Sequence, residues 1–501
     1  MYLTSRKPRA RSPFWLLFFG LGVVYIGLNA WLGSHGFVSQ FDLHRWSKAM
    51  TALDSSEFRI EHIGLLFPHG PIYLMALARG ALDFETIRVV GWMSALIIAF
   101  MFGLWYRHLW HKGYPVWIRL ALIALLAFHP LSLWAASSGL HNALMLLLFY
   151  LFCYGCYLII SIHDLRAVML AAALLAAMFF SDERTSFLVL ALLPLIPFIA
   201  PSRMLGNSLP AIYIILVFPL LIAAGGWIYL NWVFHGNAWE FLQAPEASFR
   251  GSVSLSEHSP WLNELGGHWL KPVGIALTFA MIAFPLPLWM AWHYRRYQAR
   301  LAASLTLYLH PLFAVGLATT AFFLTDVFNL LYLLIAATMA GILMMPRTRH
   351  IGLILTLLLL GNLGGWGMLS RSAPSEAEAW KQALSGTMLP PDEAMLQLGH
   401  WLRENPQPTL LDDRSLHAAI TERGHAHDLI LPFTYAFKNE MKRLQPLSHQ
   451  ILVANPIVPA ARLDRITQQF PDLYWNGLAD YALVYDTENW RVWRKTQLYT
   501  P

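Results

Sequence analysis

The chain has 501 residues, of which 57% are hydrophobic and only 13% charged, with a formal net charge of +6. A soluble domain carries about 25% charged residues, so this balance points away from a soluble enzyme and toward an integral membrane protein. The basic excess sits mainly in short loops, as membrane orientation demands, and needs no nucleic-acid partner.

The apolar residues come in blocks of helix-spanning length rather than in strand-like alternation, which favours α-helical spans over a β-barrel. The first block, Phe14 to Leu32, follows Arg6, Lys7, Arg9 and Arg11. It is too long for a signal peptide and lacks a small-x-small cleavage site, so it reads as a retained span with a cytoplasmic N-terminus. By the ~20-residue criterion about eleven spans follow one another, near 14–33, 87–106, 115–134, 141–162, 165–180, 185–201, 209–232, 271–292, 301–324, 327–346 and 350–370. Alternation then places Arg107, Lys112, Arg166, Arg203, Arg295, Arg296, Arg300, Arg347 and Arg349 on the inner side, in agreement with the positive-inside rule. Residues 1–371 are thus expected to form a polytopic helical domain.

Between the first two spans lies a long polar segment. Leu43, Trp46, Met50 and Leu53 recur at helical spacing opposite His44, Arg45, Lys48 and Thr51, the pattern of an amphipathic helix in the membrane interface. Asp42 stands at the start of this helix, a position that would also suit a cap. Pro71 opens a second such segment, Ile72 to Arg79.

Further along, Cys153 and Cys156 share one apolar run and read as small helix-packing residues rather than a redox or metal pair. Ser181-Asp182-Glu183-Arg184-Thr185 separates two short spans. It is either a simple turn with an Asp–Arg pair, or a place where Arg184 grips a lipid phosphate and Asp182 or Glu183 orients an acceptor. The loop from His235 to His268 is long enough for a lid, although its tryptophans would equally suit an interfacial anchor. Lys271, at the next span, is a second candidate phosphate contact. His310-Pro311 in mid-span predicts a kink and a helix–helix hydrogen bond. Asp326 and Asn329 would line a pocket or cap the following span. His44, His62, His69, His129, His141, His235, His258 and His268 show no i,i+4 pairing of a helical zinc site, so no metal or other cofactor is expected.

From Ser372 the composition becomes that of a soluble domain. Helical patterns (Ala377–Leu384, Glu393–Glu404, Ala460–Phe470) mix with β-rich runs (409–411, 451–453, 482–485, 491–493), which predicts a small external α/β domain over 372–501.

This order of parts resembles the GT-C superfamily of membrane glycosyltransferases, including those that depend on dolichyl-phosphate-mannose. One span leads to a long outside loop with an early acid, Asp42, and two interfacial helices. Phe67-Pro68-His69-Gly70-Pro71-Ile72-Tyr73 closes that loop, and a many-span body carries an external C-terminal domain. Phe128-His129-Pro130 followed by Ser137-Ser138-Gly139-Leu140-His141-Asn142 is similar to the family's second outside loop. The resemblance implies a polyprenyl-phosphate-sugar donor, a lipid, glycan or protein acceptor, inversion at the sugar, and a place in the bacterial inner membrane with the C-terminal domain outside. It implies Asp42 as catalytic base. The residues' own chemistry and placement make Arg184 and Lys271 the candidates for the donor phosphate, and His44, Glu61, His69, Tyr73, His129, His141, Asn142, Asp182, Glu183 and Asp326 the candidates for the substrate pocket. Many relatives have two acids in the first loop, whereas Asp42 is followed by Leu43 and His44, which weakens any inference of a metal. The chemistry asks for little else, since a phosphate leaves as a stable anion and only the acceptor's hydroxyl needs a base. The alternatives are a transporter or flippase, or a polymerase or ligase, of lipid-linked glycans. The spans are poor in charge at depth, which argues against transport.

Overall fold

The computed structural model describes residues 13–54, 68–82, 84, 86–162, 165–182, 184–199, 209–239, 270–293, 298–322, 328–345, 350–369, 375–390, 392–458 and 464–496. In chain order the helices begin with α1 (Phe14–Ser34), α2 (Gln40–Asp54), α3 (His69–Leu82), α4 (Arg88–His111), α5 (Val116–Ala127), α6 (Pro130–Ala135) and α7 (Leu140–Ile162). Next come α8 (Leu165–Ser181), α9 (Thr185–Leu192), α10 (Ile196–Ile199), α11 (Leu209–His235), α12 (Leu270–Ala283), α13 (Leu286–His293) and α14 (Gln298–Phe322). Then α15 (Phe328–Leu331), α16 (Leu334–Met344), α17 (Ile351–Leu369), α18 (Ser375–Leu384) and α19 (Glu393–Glu404) lead into β1 (Thr409–Leu410), α20 (His417–Arg423), β2 (Leu429–Ile430) and α21 (Tyr435–Glu440). The chain ends with β3 (Gln450–Ala454), α22 (Arg465–Gln469), α23 (Leu473–Asn476), β4 (Tyr481–Asp486) and β5 (Trp490–Lys495). Two compact units result: Met1–Ser34, Val90–Ala224 and Leu255–Ser385 form one, and His35–Val89, Gly225–Ser254 and Gly386–Pro501 the other.

The first unit is helical. Among the described residues, four helices, Phe14–Ser34, Arg88–His111, Leu140–Ser161 and Leu209–Phe234, are long and apolar enough to cross a bilayer, and shorter apolar helices of 10–17 residues accompany them. The chain is an integral membrane protein. The span expected over 115–134 is broken, because α5 stops at Ala127 and α6 starts at Pro130. A break in an apolar segment leaves carbonyls that must find donors. Tyr25 Oη donates to the Ala127 carbonyl at 2.9 Å, and Asn29 Nδ2 donates to that of Ala136 at 2.9 Å, so α1 supplies both. Asn362 of α17 donates to the Leu125 carbonyl at 2.8 Å.

The packing of this unit follows from small residues at crossings. A Cβ on Gly364 of α17 would lie 2.8 Å from the Ile282 carbonyl oxygen, and one on Gly361 would strike the Ala283 carbonyl. These glycines let α17 lie backbone to backbone on α12. Gly364→Leu is therefore expected to lower stability by at least ~1–3 kcal/mol, read as a fall in Tm in detergent. Lys112 Nζ donates to the Leu343 carbonyl in the last turn of α16 and to that of Met345, the residue after it, where a cation suits the helix terminus. The hydrogen bond expected of His310 is present, with Nε2 meeting the Leu188 carbonyl at 2.5 Å, so α14 is tied to α9 beside Pro311. Trp380 of α18 donates to Ser137 Oγ at 2.8 Å and packs against Trp134 and Trp366.

The second unit contains a five-stranded sheet in the order β2-β1-β3-β5-β4. The pairs β1–β2 and β1–β3 are parallel, and β3–β5 and β5–β4 antiparallel. Alternation along the strands sends Leu410, Ile451 and Val453 to one core with Phe437, Ile466 and Leu473. It sends Leu411, Leu452 and Ala454 to the other, with Leu398, Leu402, Ala419 and Ile420. The α/β expectation for the tail holds. β2, a two-residue strand, and the short helices α20, α21 and α23 lie outside the elements expected from the sequence.

Candidate active site: two clusters

The first cluster lies in the second unit. Asp42 sits in the first turn of α2, where the helix dipole favours a carboxylate, and it is only 6% exposed. Trp46, Ala49 and Met50 of α2 and Ile72, Met75 and Ala78 of α3 are fully buried, and the two helices pack on one another. His69, at the start of α3, is also buried and meets the ring of Tyr73 edge-on at 5.7 Å, while Tyr73 is 47% exposed.

The polar face of α2, read from sequence as a solvated or interfacial face, instead binds the C-terminal fold. Lys48 pairs with Asp413 and lies over the Phe433 ring at 5.5 Å. Ser47 Oγ donates to its own helix at His44 O (2.7 Å) and so accepts from His417 Nδ1 at 3.0 Å. His417 Nε2 is then an acceptor, and His44 Nδ1 donates to it at 2.6 Å. At the far end of α2, Asp54 accepts from the Ala426 amide at 2.7 Å and pairs with Arg79 of α3. Arg79 also donates to the Gly424 carbonyl at 3.1 Å. His44 and Asp54 of α2 thus meet His417 and residues 424–426 in the same order, so α2 and α20 run side by side in one direction.

Both histidines of the pair are pushed below the ordinary range. Burial, then His417, Lys48 and Arg45, push His44 well below the ordinary histidine range. Burial pushes His417 down to about 4, with Lys48 adding to it against the pull of Asp413. Burial alone would raise Asp413, but the charge of Lys48, with His417 and Arg465, holds it below the usual carboxylate range. A histidine whose folded pKa lies below its unfolded value contributes stability that is complete above pH ~6.5 and is lost as pH falls from there toward its folded pKa. Tm in detergent is therefore expected to be lower at pH 5 than at pH 7.5, with His417 alone contributing about 2 kcal/mol to the difference. His417→Gln should flatten this dependence, and an unaltered slope would contradict it.

The second cluster lies in the helical unit, at the turn between α8 and α9. Asp182, 1% exposed, accepts from the Arg184 amide at 2.8 Å. Its two carboxylate oxygens also take the Arg184 guanidinium, with Nε at 2.9 Å from each. Arg184 donates further to Asn142 Oδ1 at 3.3 Å, and Asn142 Nδ2 donates to Ser138 Oγ at 2.9 Å. The sequence marks Asp182 and Arg184 together as one turn and Asn142 apart from them, and the fold joins the three. His141 is buried at the start of α7. His129 caps α6, its Nδ1 accepting from the Leu131 amide at 3.2 Å, and stacks on Phe284 at 4.9 Å. Glu61, Glu183 and Asp326 lie outside the described residues, as does most of the 235–268 loop; Lys271 opens α12, and only its backbone is described. Among the described residues, no group of three or more His, Cys, Asp or Glu is placed to hold a metal ion.

The fold of this chain has a solved counterpart. Among solved structures it is similar to ArnT from Cupriavidus metallidurans bound to undecaprenyl phosphate. The TM-score is 0.55 and the identity 11%, over 97% of this chain and 98% of that one. No protein-family model matches the sequence, and no curated protein matches it significantly.

Proposed function

We propose that this chain is a membrane glycosyltransferase that moves a sugar from a polyprenyl-phosphate carrier to an acceptor hydroxyl on the external face of the membrane. The observation that carries the reading is a buried carboxylate, Asp42, at the start of the first-loop helix of a chain sharing its fold end to end with ArnT. In the reaction, Asp42 takes the acceptor's proton while the acceptor oxygen bonds to the anomeric carbon from the face opposite the phosphate. The bond from that carbon to the phosphate oxygen breaks, its electrons leave with the phosphate, and the sugar inverts. No general acid is needed, because the phosphate departs as a stable anion.

Arg184 holds the phosphate. A guanidinium carries five N–H donors, more than one carboxylate engages, and anchoring by Asp182 and Asn142 fixes its plane before a ligand arrives. Asp182 acts here as the anchor of Arg184. His69 and Tyr73 are the first-loop side chains assigned to the sugar or acceptor. Lys271 is the second phosphate contact, and Glu61, Glu183 and Asp326 belong to the substrate pocket.

The test is turnover by the purified protein in nanodiscs, using undecaprenyl phosphates that carry a hexose or a pentose and an extract of membrane glycolipids as acceptor. Release of undecaprenyl phosphate, with the sugar appearing on acceptor or water, is the expected result. Movement of intact donor across the bilayer without bond cleavage would replace this reading with a flippase.

A further inference from the structure

Among the described residues, the side-chain bonds from Asp413 and His417 of the C-terminal fold to α2 gather on one side of the helix. Ser47, His44 and Lys48, which meet His417 and Asp413, lie along one face of the helix. At 100° per residue, Asp42 falls on the opposite side, together with Trp46 and Ala49. The rotation of α2 about its axis therefore fixes the direction of Asp42, and side chains of the C-terminal fold set that rotation. Asp413 follows β1 and Phe433 follows β2, so Lys48 is held beyond the carboxyl ends of two parallel strands, where open α/β sheets receive their ligands. The helix occupies that place as an internal ligand.

We propose that Asp413 and His417 are positioning residues for catalysis: through Lys48, His44 and Ser47 they hold α2 in the rotation that directs Asp42. This rests on Asp42 being the base. The partners are separated by more than 360 residues in sequence, and each contact is a charge-assisted or buried polar bond whose loss leaves its partner unsatisfied. Asp54 and Arg79 secure the other end of α2 on the residues after α20, so the pairs at its start act on rotation and tilt rather than on docking as a whole.

The experiment places Asp413→Asn and His417→Gln, separately, in the native chain and in the Asp42→Asn chain. Release of undecaprenyl phosphate from the undecaprenyl-phosphate sugars is followed in nanodiscs. Hydrogen exchange of the α2 and β3 amides is measured on the same samples. In the native background kcat should fall ~10–100-fold, with KM for the donor within about 3-fold, since misplacing a reacting group by about 1 Å costs rate rather than affinity. In the Asp42→Asn background the further loss should be less than about 2-fold, because the effect acts through that carboxylate. Exchange should rise in α2 and stay unchanged in β3. If Asp413→Asn also loosens β3, the double variant Lys48→Met with Asp413→Asn, which leaves no uncompensated charge, takes its place under the same criteria. Equal losses in both backgrounds, or a risen KM with kcat intact, would overturn the positioning role and leave the base assignment standing. Normal turnover by Asp42→Asn itself would remove the base assignment and the positioning role together.

Discussion

Asp42→Asn should cut sugar transfer ~10²–10⁴-fold, the usual range for loss of a general base, while insertion, Tm and binding of undecaprenyl phosphate stay as they were. The exchange is nearly isosteric; it removes the negative charge and with it the ability to take the acceptor's proton. It also separates the two roles that the position allows. Asp42 is the third residue of α2, where its charge on the helix dipole is worth about 0.3–1 kcal/mol, so a residue present only for the helix would lose no more than that in stability and keep its turnover. Burial sharpens the expectation, because at 6% exposure the carboxylate is held by its surroundings and does not swing through bulk water. Transfer within a few-fold of normal would assign Asp42 to the helix alone.

A second large effect is expected at the α8–α9 turn. Arg184→Ala should raise the Kd for undecaprenyl phosphate ~10–100-fold, the worth of charge-assisted bonds of about 1.5–3 kcal/mol. It also leaves Asp182, 1% exposed, without its partner, which is expected to lower stability by about 3–5 kcal/mol. Arg184→Lys keeps the charge but not the fork that spans both oxygens of Asp182, so its affinity should fall between the two. A turn that is merely structural would lose stability in Arg184→Ala with Kd unchanged. Binding of undecaprenyl phosphate, read by native mass spectrometry alongside Tm, distinguishes these outcomes.

Local chemistry made much of the fold readable. Apolar blocks announce membrane helices wherever they are long, as in α1, α4, α7 and α11. Period-2 alternation places Ile451 and Val453 on one core and Leu452 on the other. The break at His129-Pro130 was written in the sequence as a polar residue before a proline, yet the block around it still read as one span. Its orphan carbonyls are answered by Tyr25 and Asn29, about a hundred residues earlier in the chain, and no local pattern marks such a partner. The same holds at α2. The period of Trp46 and Met50 identified the helix and its apolar face, but its polar face looked like one meant for water or headgroups. Lys48 and His44 meet Asp413 and His417 across more than 360 residues, and such pairings carry no signature within a window. The Asp182–Arg184 pair was legible because it is local; Asn142 joining it was not.

Chemical rescue of Asp42→Asn probes the role of this carboxylate in isolation. Azide is a nucleophile that arrives without a proton, so an enzyme lacking only its base should use it. With an undecaprenyl-phosphate sugar that the native protein turns over, azide is expected to accelerate release of undecaprenyl phosphate by Asp42→Asn, yielding a glycosyl azide of inverted configuration, while the native rate changes little. Undiminished transfer to the ordinary acceptor by Asp42→Asn, with or without azide, would contradict the account.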